Sequence, residues 1–181
     1  MSPLGASTFV QRCDGPPPST QAGRATFTPG VNRLSVAQQI AFKVSLFDCS
    51  PARATRGAGT LRTTITPKGS QTCALLSAPK AYKTTSKVTW KDEKISTIAM
   101  TYSFTGSSQF INMKGKVTAG LFQGHSVTGQ FKFKSVVTPL GNYPNGDGVS
   151  QACVNKIAPQ KFGRIAVTAI NLYITKHFVV T

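Results

Sequence analysis

Hydrophobic and polar residues alternate with a period of two along much of this chain. In the segment 36–47, the apolar residues Ile40, Phe42, Val44 and Leu46 all fall on one side of an extended backbone. The same alternation returns over 98–104. Successive side chains of a strand point to opposite faces, so this period predicts strands with one buried and one exposed face.

Turn-forming residues interrupt the alternation every 10 to 15 positions. No stretch keeps apolar residues at helical spacing for three turns, because glycine or proline breaks most candidate windows. The strand predictions cover 24–28 and 36–47 as a hairpin, then 57–65, 72–76, 82–90, 98–104, 110–118, 126–137 and 162–175. Nine or ten strands at this spacing predict an all-β fold with little helix, an antiparallel β-sandwich or β-barrel.

The chain of 181 residues has the usual length of one domain. Residues 1–23 contain the run Pro16-Pro17-Pro18 and are expected to form an irregular, proline-rich N-terminal arm, with residues 24–181 forming a single β domain. No window reaches the roughly 18 apolar residues that span a bilayer. The start of the chain also lacks the apolar stretch of a signal peptide, so we interpret Met1 as the start of a mature chain.

Charge is strongly one-sided, because 21 lysines and arginines stand against five carboxylates, giving a net charge of +16. A net charge of this sign and size attracts polyanions, and the positive charges repel one another within the folded protein. The partners it indicates are an anionic polymer, the cell envelope or an acidic protein, with non-specific binding to nucleic acid as another possibility. Sequence-specific recognition of nucleic acid has no motif here.

Four cysteines are spread along the chain without a C-x-x-C pair, which is the spacing of neither a zinc site nor a redox motif. They indicate two disulfides and therefore an exported protein, with four buried thiols in a cytosolic protein as the alternative. A hairpin that turns near Val31 places Cys13 opposite Cys49. The favoured connectivity is therefore Cys13–Cys49 and Cys73–Cys153.

Three segments resemble small secreted β proteins of actinobacteria that have no established function. They are the hairpin Thr26-Phe-Thr-Pro-Gly30, the segment 87–97 around Trp90, and Val117-Thr-Ala-Gly-Leu-Phe122-Gln-Gly124 with the residues that follow it. The cysteine order also agrees. The resemblance implies an all-β fold and export, and it implies no activity. Lysines replace many of the threonines and serines expected in that group, and Lys94 replaces a turn glycine.

Signatures of catalysis are weak. His125 and His177 would each need a carboxylate partner and a nucleophile, and the chain has no G-x-S-x-G motif to locate one. The segment 145–148 resembles a calcium loop but offers only one carboxylate, Asp147, so a turn is the better interpretation. We expect no enzyme activity, no metal and no cofactor.

Lysine placement provides the candidate binding site. Lys114 and Lys116 share one face of a predicted strand, and Lys132 and Lys134 share one face of the next. A hairpin folded about Gly124 would set 114 opposite 134 and 116 opposite 132, forming one basic patch. Like charges directly opposite are destabilising, so such a patch suits a polyanion. The alternative is a shifted register in which these lysines are ordinary solubilising residues.

The sequence therefore favours a secreted, non-enzymatic β domain that binds an anionic surface or polymer. A structural protein that self-associates through sheet edges is the second hypothesis. A small hydrolase, or an inhibitor of one, with a site on the loop 138–152 is the third.

Overall fold

The structure, a computed structural model, describes residues 9–14, 22–31, 36–37, 39–68, 70–71, 80–104, 110–133, 137–138, 141–142 and 162–176. These residues are nearly all in strands, apart from the short 3₁₀ helix Ala52–Ala54. The strands are β1 Phe9–Asp14, β2 Gly23–Val31, β3 Val36–Ala37, β4 Gln39–Leu46, β5 Cys49–Ser50, β6 Gly59–Ile65, β7 Ser70–Gln71, β8 Lys80–Trp90, β9 Ile95–Phe104, β10 Phe110–Gly120, β11 Ser126–Phe133, β12 Val137–Thr138, β13 Gly141–Asn142 and β14 Phe162–Thr175. The expected all-β fold with little helix is confirmed.

Eight of these strands close into an antiparallel barrel. The order around the barrel is β2, β4, β6, β8, β9, β10, β11 and β14, and β14 pairs back with β2. Each strand therefore lies beside the barrel strand that precedes it along the chain, which is an up-and-down arrangement. Of the two architectures that the sequence allowed, the structure adopts the barrel.

Strands β1 and β5 extend this sheet at one end of the barrel. The first half of β14 pairs with β2, and its second half pairs with β1, where Leu172 lies opposite Cys13. Residues 9–14 are therefore a strand, and the predicted irregular arm is wrong for this stretch. The physical reason is that β1 buries Gln11 and Cys13 while its backbone completes the ladder of β14.

The predicted disulfide between Cys13 and Cys49 is present. These two residues lie directly opposite one another on β1 and β5. Both are almost fully buried. The bond therefore holds the β1–β5 extension against the barrel. Cys73 and Cys153 lie outside the described residues.

The inward-facing side chains fill the barrel. Three aromatic rings pack together at its centre, with centroid distances of 6.1 Å between Phe42 and Tyr102, 5.7 Å between Phe42 and Phe131, and 6.0 Å between Tyr102 and Phe131. All three residues are buried. The interior of the barrel is thus a packed hydrophobic core.

The turn between β10 and β11 covers one end of this core. The indole N–H of Trp90 donates to the hydroxyl of Ser96 at 2.8 Å, and that hydroxyl donates to the carbonyl of Leu121 at 2.6 Å. The Phe122 ring meets the Trp90 ring edge-on, with centroids 5.8 Å apart. Phe122 has a φ of 66°, a left-handed conformation that points its ring back over the barrel.

Candidate anion-binding face

Four basic residues lie side by side across four neighbouring strands of the barrel wall. Arg24 of β2 is directly opposite Lys43 of β4, and Lys43 is directly opposite Arg62 of β6. Arg62 is in turn directly opposite Lys87 of β8. We call these four residues the basic row. Neighbouring strands are about 4.8 Å apart, so the row spans roughly 14 Å across the strands.

The alternation of each strand fixes the outward direction of the basic row. On β4, Phe42 and Val44 flank Lys43 and are buried, so the lysine between them must point to solvent. The same applies to Arg62, which follows the buried Leu61 on β6. All four basic residues are exposed. The row is therefore a consequence of core burial combined with the register of three ladders.

The charge of the basic row has no counter-charge in the described part of the chain. The ion pairs found there are Arg12 with Asp14, at 2.9 Å, and Lys94 with Asp92, at 3.3 Å. Neither pair involves a member of the row. Like charges directly opposite on neighbouring strands destabilise a sheet. An anion bound along the row would remove this repulsion and replace it with attraction.

A groove runs beside the basic row across β2, β4, β6 and β8, and it includes the gap between β6 and β8. These two strands pair only from Gly59 to Arg62, although β6 continues to Ile65. Beyond Arg62, β6 pairs only with β4, and the facing part of β8 pairs only with β9. A gap therefore opens in the barrel wall between β6 and β8. The hydroxyl of Thr84 donates to the carbonyl of Thr64 at 2.8 Å across the opening.

This β6–β8 groove has a volume of about 660 Å³. Of its twelve lining residues, four form the basic row and six are threonines. They are Arg24, Thr26, Ala41, Phe42, Lys43, Arg62, Thr63, Thr64, Thr84, Thr85, Lys87 and Thr89. Among the described residues, cationic groups and hydroxyls line the groove, and no carboxylate contributes to it.

Three buried hydroxyls connect the groove to the core. The hydroxyl of Ser86 donates to that of Thr63 at 3.0 Å and lies 2.7 Å from that of Tyr102. Because Ser86 has one hydrogen and gives it to Thr63, Tyr102 donates to Ser86. Burial raises the pKa of Tyr102 to about 12, against the lowering effect of its hydrogen bonds to Ser86 and Thr63, so this donor stays protonated at neutral pH. Thr63 also lines the groove, so this chain of hydroxyls reaches the groove wall.

The lysines that the sequence singled out lie elsewhere on the wall. Lys114, Lys116 and Lys132 are exposed, as expected for strand residues that alternate with buried ones. However, Lys114 lies opposite Thr128 and Lys116 opposite Ser126, so the predicted lysine–lysine pairing is wrong. The hairpin turns through 121–124 and is centred three residues before Gly124. Lys134 lies outside the described residues.

The residues directly opposite these three lysines are neutral. On the other side of β10, Lys114 lies opposite Thr101 and Lys116 opposite Ala99. Lys132 lies opposite Phe110, with its ammonium 5.8 Å from the centroid of that ring. Their local density of charge is therefore lower than that of the basic row, where each basic residue directly faces another.

The groups considered for acid–base chemistry are dispersed. His125 lies in the β10–β11 turn, with its Nδ1 atom 3.2 Å from the carbonyl of Gln123. Asp14 contacts Arg12 and the hydroxyl of Tyr173 on the β1 side of the barrel. Over the described ranges, no three histidine, cysteine or acidic side chains are grouped so that they could hold a metal ion. Asp147 and His177 lie outside these ranges.

Sequence reasoning missed the basic row although each of its members was visible. The alternation over 36–47 already predicted an outward Lys43. Recognising the row required the registers of β2–β4, β4–β6 and β6–β8 at once, and a one-residue error in any of them would move a basic side chain to the inner face. The signal present in the sequence was an outward-facing basic residue in each of four successive barrel strands.

No protein-family model matches this chain, and neither a curated protein nor a solved structure is significantly similar to it. The described part of the chain contains no helix of sufficient length and apolarity to cross a membrane.

Proposed function

We propose that this protein is a secreted, non-enzymatic β-barrel that binds an anionic polymer through the basic row. The observation that carries the proposal is the direct opposition of Arg24, Lys43, Arg62 and Lys87 across four strands, with no carboxylate beside them in the part of the chain that the structure describes. Such an arrangement raises the local positive potential far above what scattered lysines provide. The repulsion among the four charges destabilises the free protein. A bound polyanion relieves this repulsion, which makes the free energy of binding more favourable.

The shape of the site favours a polymer over a single small anion. The row is linear and runs perpendicular to the strands over roughly 14 Å. One phosphate or sulfate would neutralise one or two of its members and leave the rest repelling. A chain with repeated negative charges could contact all four, and the counterions released from it would drive binding.

Export is part of the same proposal. The buried disulfide between Cys13 and Cys49 is typical of proteins that fold in an oxidising compartment. The resemblance to secreted actinobacterial β proteins supports the same location. The partners that fit are a polymer of the cell envelope or an extracellular polyanion, and nucleic acid would be bound only through its charge.

Self-association through sheet edges is less well supported than anion binding. Closing a sheet into a barrel removes its free edges, and β14 closes this one by pairing with both β11 and β2. In the described part of the sheet, the edges that remain include the two-residue β5 and the facing stretches of β6 and β8 beyond Arg62, where Thr84 already donates to the carbonyl of Thr64 across the gap. The loop 138–152, proposed for a hydrolase or inhibitor site, lies mostly outside the described residues.

The test is to replace the row and compare its loss with an equal loss of charge elsewhere. The row variant is R24Q/K43Q/R62Q/K87Q. The control is R53Q/K91Q/K132Q/K176Q, which removes four exposed basic residues from four separate places. Binding to heparin, as a model polyanion, is measured by fluorescence anisotropy over a series of salt concentrations.

We expect the row variant to flatten the slope of log K against log salt by about three, because each lost contact contributes about 0.7–0.9. The control should change the slope by less than about one. Equal changes in the two variants would show that total charge alone governs binding, and the proposal would be wrong.

A further inference from the structure

The composition of the β6–β8 groove indicates what kind of polymer the basic row receives. Six threonines line the groove together with the four basic residues. Hydroxyl groups at fixed positions on a rigid wall can exchange hydrogen bonds with the hydroxyls and ring oxygens of a sugar. Its volume of about 660 Å³ lies within the range of about 300–1,000 Å³ common for ligand sites.

The groove lacks the groups that would favour nucleic acid. Proteins that bind single strands rely on exposed aromatic side chains on which bases stack. Of the described residues that line the groove, the one aromatic residue is Phe42, and it is buried in the core among other rings. Charge and hydroxyls are therefore what a ligand meets there.

The buried hydroxyl chain makes the floor of the groove polar. Thr63 accepts from Ser86 at the floor of the groove, and Tyr102 contacts Ser86 from the core side. At the rim, Thr64 and Thr85 are exposed on facing strands. The floor of the groove is thus polar, and the exposed rim threonines offer hydroxyls that both donate and accept.

We propose that the polymer is an anionic polysaccharide, with its acid groups on the basic row and the hydroxyls of one or two sugar units in the β6–β8 groove. This inference rests on the proposed function, since it assigns a ligand class to the same face. It separates two contributions to binding. The row supplies affinity that depends on salt, and the threonines supply discrimination between a sugar and any other polyanion.

The test removes groove hydroxyls without changing charge or shape. T64V/T85V replaces two exposed rim threonines by an isosteric, β-branched residue that strands accommodate well. The matched control is T128V/T175V, on β11 and β14 at the opposite side of the barrel. The probes are a heparin-derived oligosaccharide and linear polyphosphate of similar charge, which carries no sugar.

For T64V/T85V we expect binding of the oligosaccharide to weaken about tenfold, the effect of losing two neutral hydrogen bonds, and binding of polyphosphate to change less than about twofold. The control should leave both affinities unchanged. If T64V/T85V keeps the wild-type ratio of the two affinities, the groove does not recognise sugar and this inference is wrong. The row variant R24Q/K43Q/R62Q/K87Q separates the two proposals. If it binds both probes as tightly as the wild type does, the proposed anion binding by the basic row is wrong, whatever T64V/T85V shows.

Discussion

Replacing Tyr102 by phenylalanine tests the buried hydroxyl chain through the pH dependence of stability. Tyr102 is fully buried, and burial raises its pKa from 10.0 to about 12. In the unfolded chain the phenol ionises near pH 10, whereas in the folded barrel it stays neutral. The stabilisation that follows from this difference is fully present below pH 10 and is lost as the pH rises through 12.

The size of the effect follows from the two pKa values. Between pH 9 and pH 11 the wild type should lose about 1.3 kcal/mol of stability through Tyr102 alone, approaching about 2.7 kcal/mol above pH 12. At neutral pH, Tyr102→Phe should be less stable by about 1 kcal/mol, because Ser86 loses its hydrogen-bond donor. The ring packing against Phe42 and Phe131 is kept in the variant.

The assay is urea unfolding at pH 7, 9 and 11, followed by the fluorescence of the single tryptophan, Trp90. Ionisation of lysines and of other tyrosines affects both proteins equally and cancels in the comparison. We expect the stability deficit of the variant to shrink with pH and to vanish near pH 11. A deficit that stays constant from pH 7 to 11 would refute the reasoning.

Two further substitutions test how the barrel is held together. Cys13→Ser with Cys49→Ser should lower the free energy of unfolding by about 3–4 kcal/mol, as expected for a loop closed over 36 residues, and a loss under about 1 kcal/mol in urea unfolding would show that β1 is held by its ladder alone. Ser96→Ala removes the hydroxyl that joins the Trp90 indole to the Leu121 carbonyl and should cost about 2–3 kcal/mol. Ser45→Ala, on the outer face of β4, should cost less than about 0.5 kcal/mol, and equal losses would contradict the assigned network.

The local alternation of the chain was sufficient to predict most of the strands. The last strand was predicted over 162–175 and is found at Phe162–Thr175, because its inward residues include Val167, Ile170, Leu172 and Ile174. Choosing between sandwich and barrel was not possible from this pattern. The barrel closes because β14 pairs with β2, which lies far from it in the sequence. The alternation within a strand does not indicate which other strand it pairs with.

The registers of the strand pairs also could not be predicted from local sequence patterns. Glycines at 120 and 124 both have positive φ and both mark a turn, so folding the β10–β11 hairpin about Gly124 was a reasonable but incorrect choice. The Cys13–Cys49 bond was predicted correctly from a single continuous hairpin. In the structure, β1–β5 and β2–β4 are separate ladders. If the register of β2–β4 were continued to β1, Cys13 would fall five residues away from Cys49, so the two ladders do not form one hairpin.

The most direct test of the central claim is lysine acetylation with and without a bound polyanion, read by mass spectrometry. The account predicts that saturating heparin slows the modification of Lys43 and Lys87 several-fold, because both ammonium groups lie in the basic row. Lys132 and Lys176, which are exposed elsewhere on the protein, should react at nearly their free rates. Uniform slowing at all four lysines, or protection of Lys132 while Lys43 stays reactive, would contradict the basic row as the binding site.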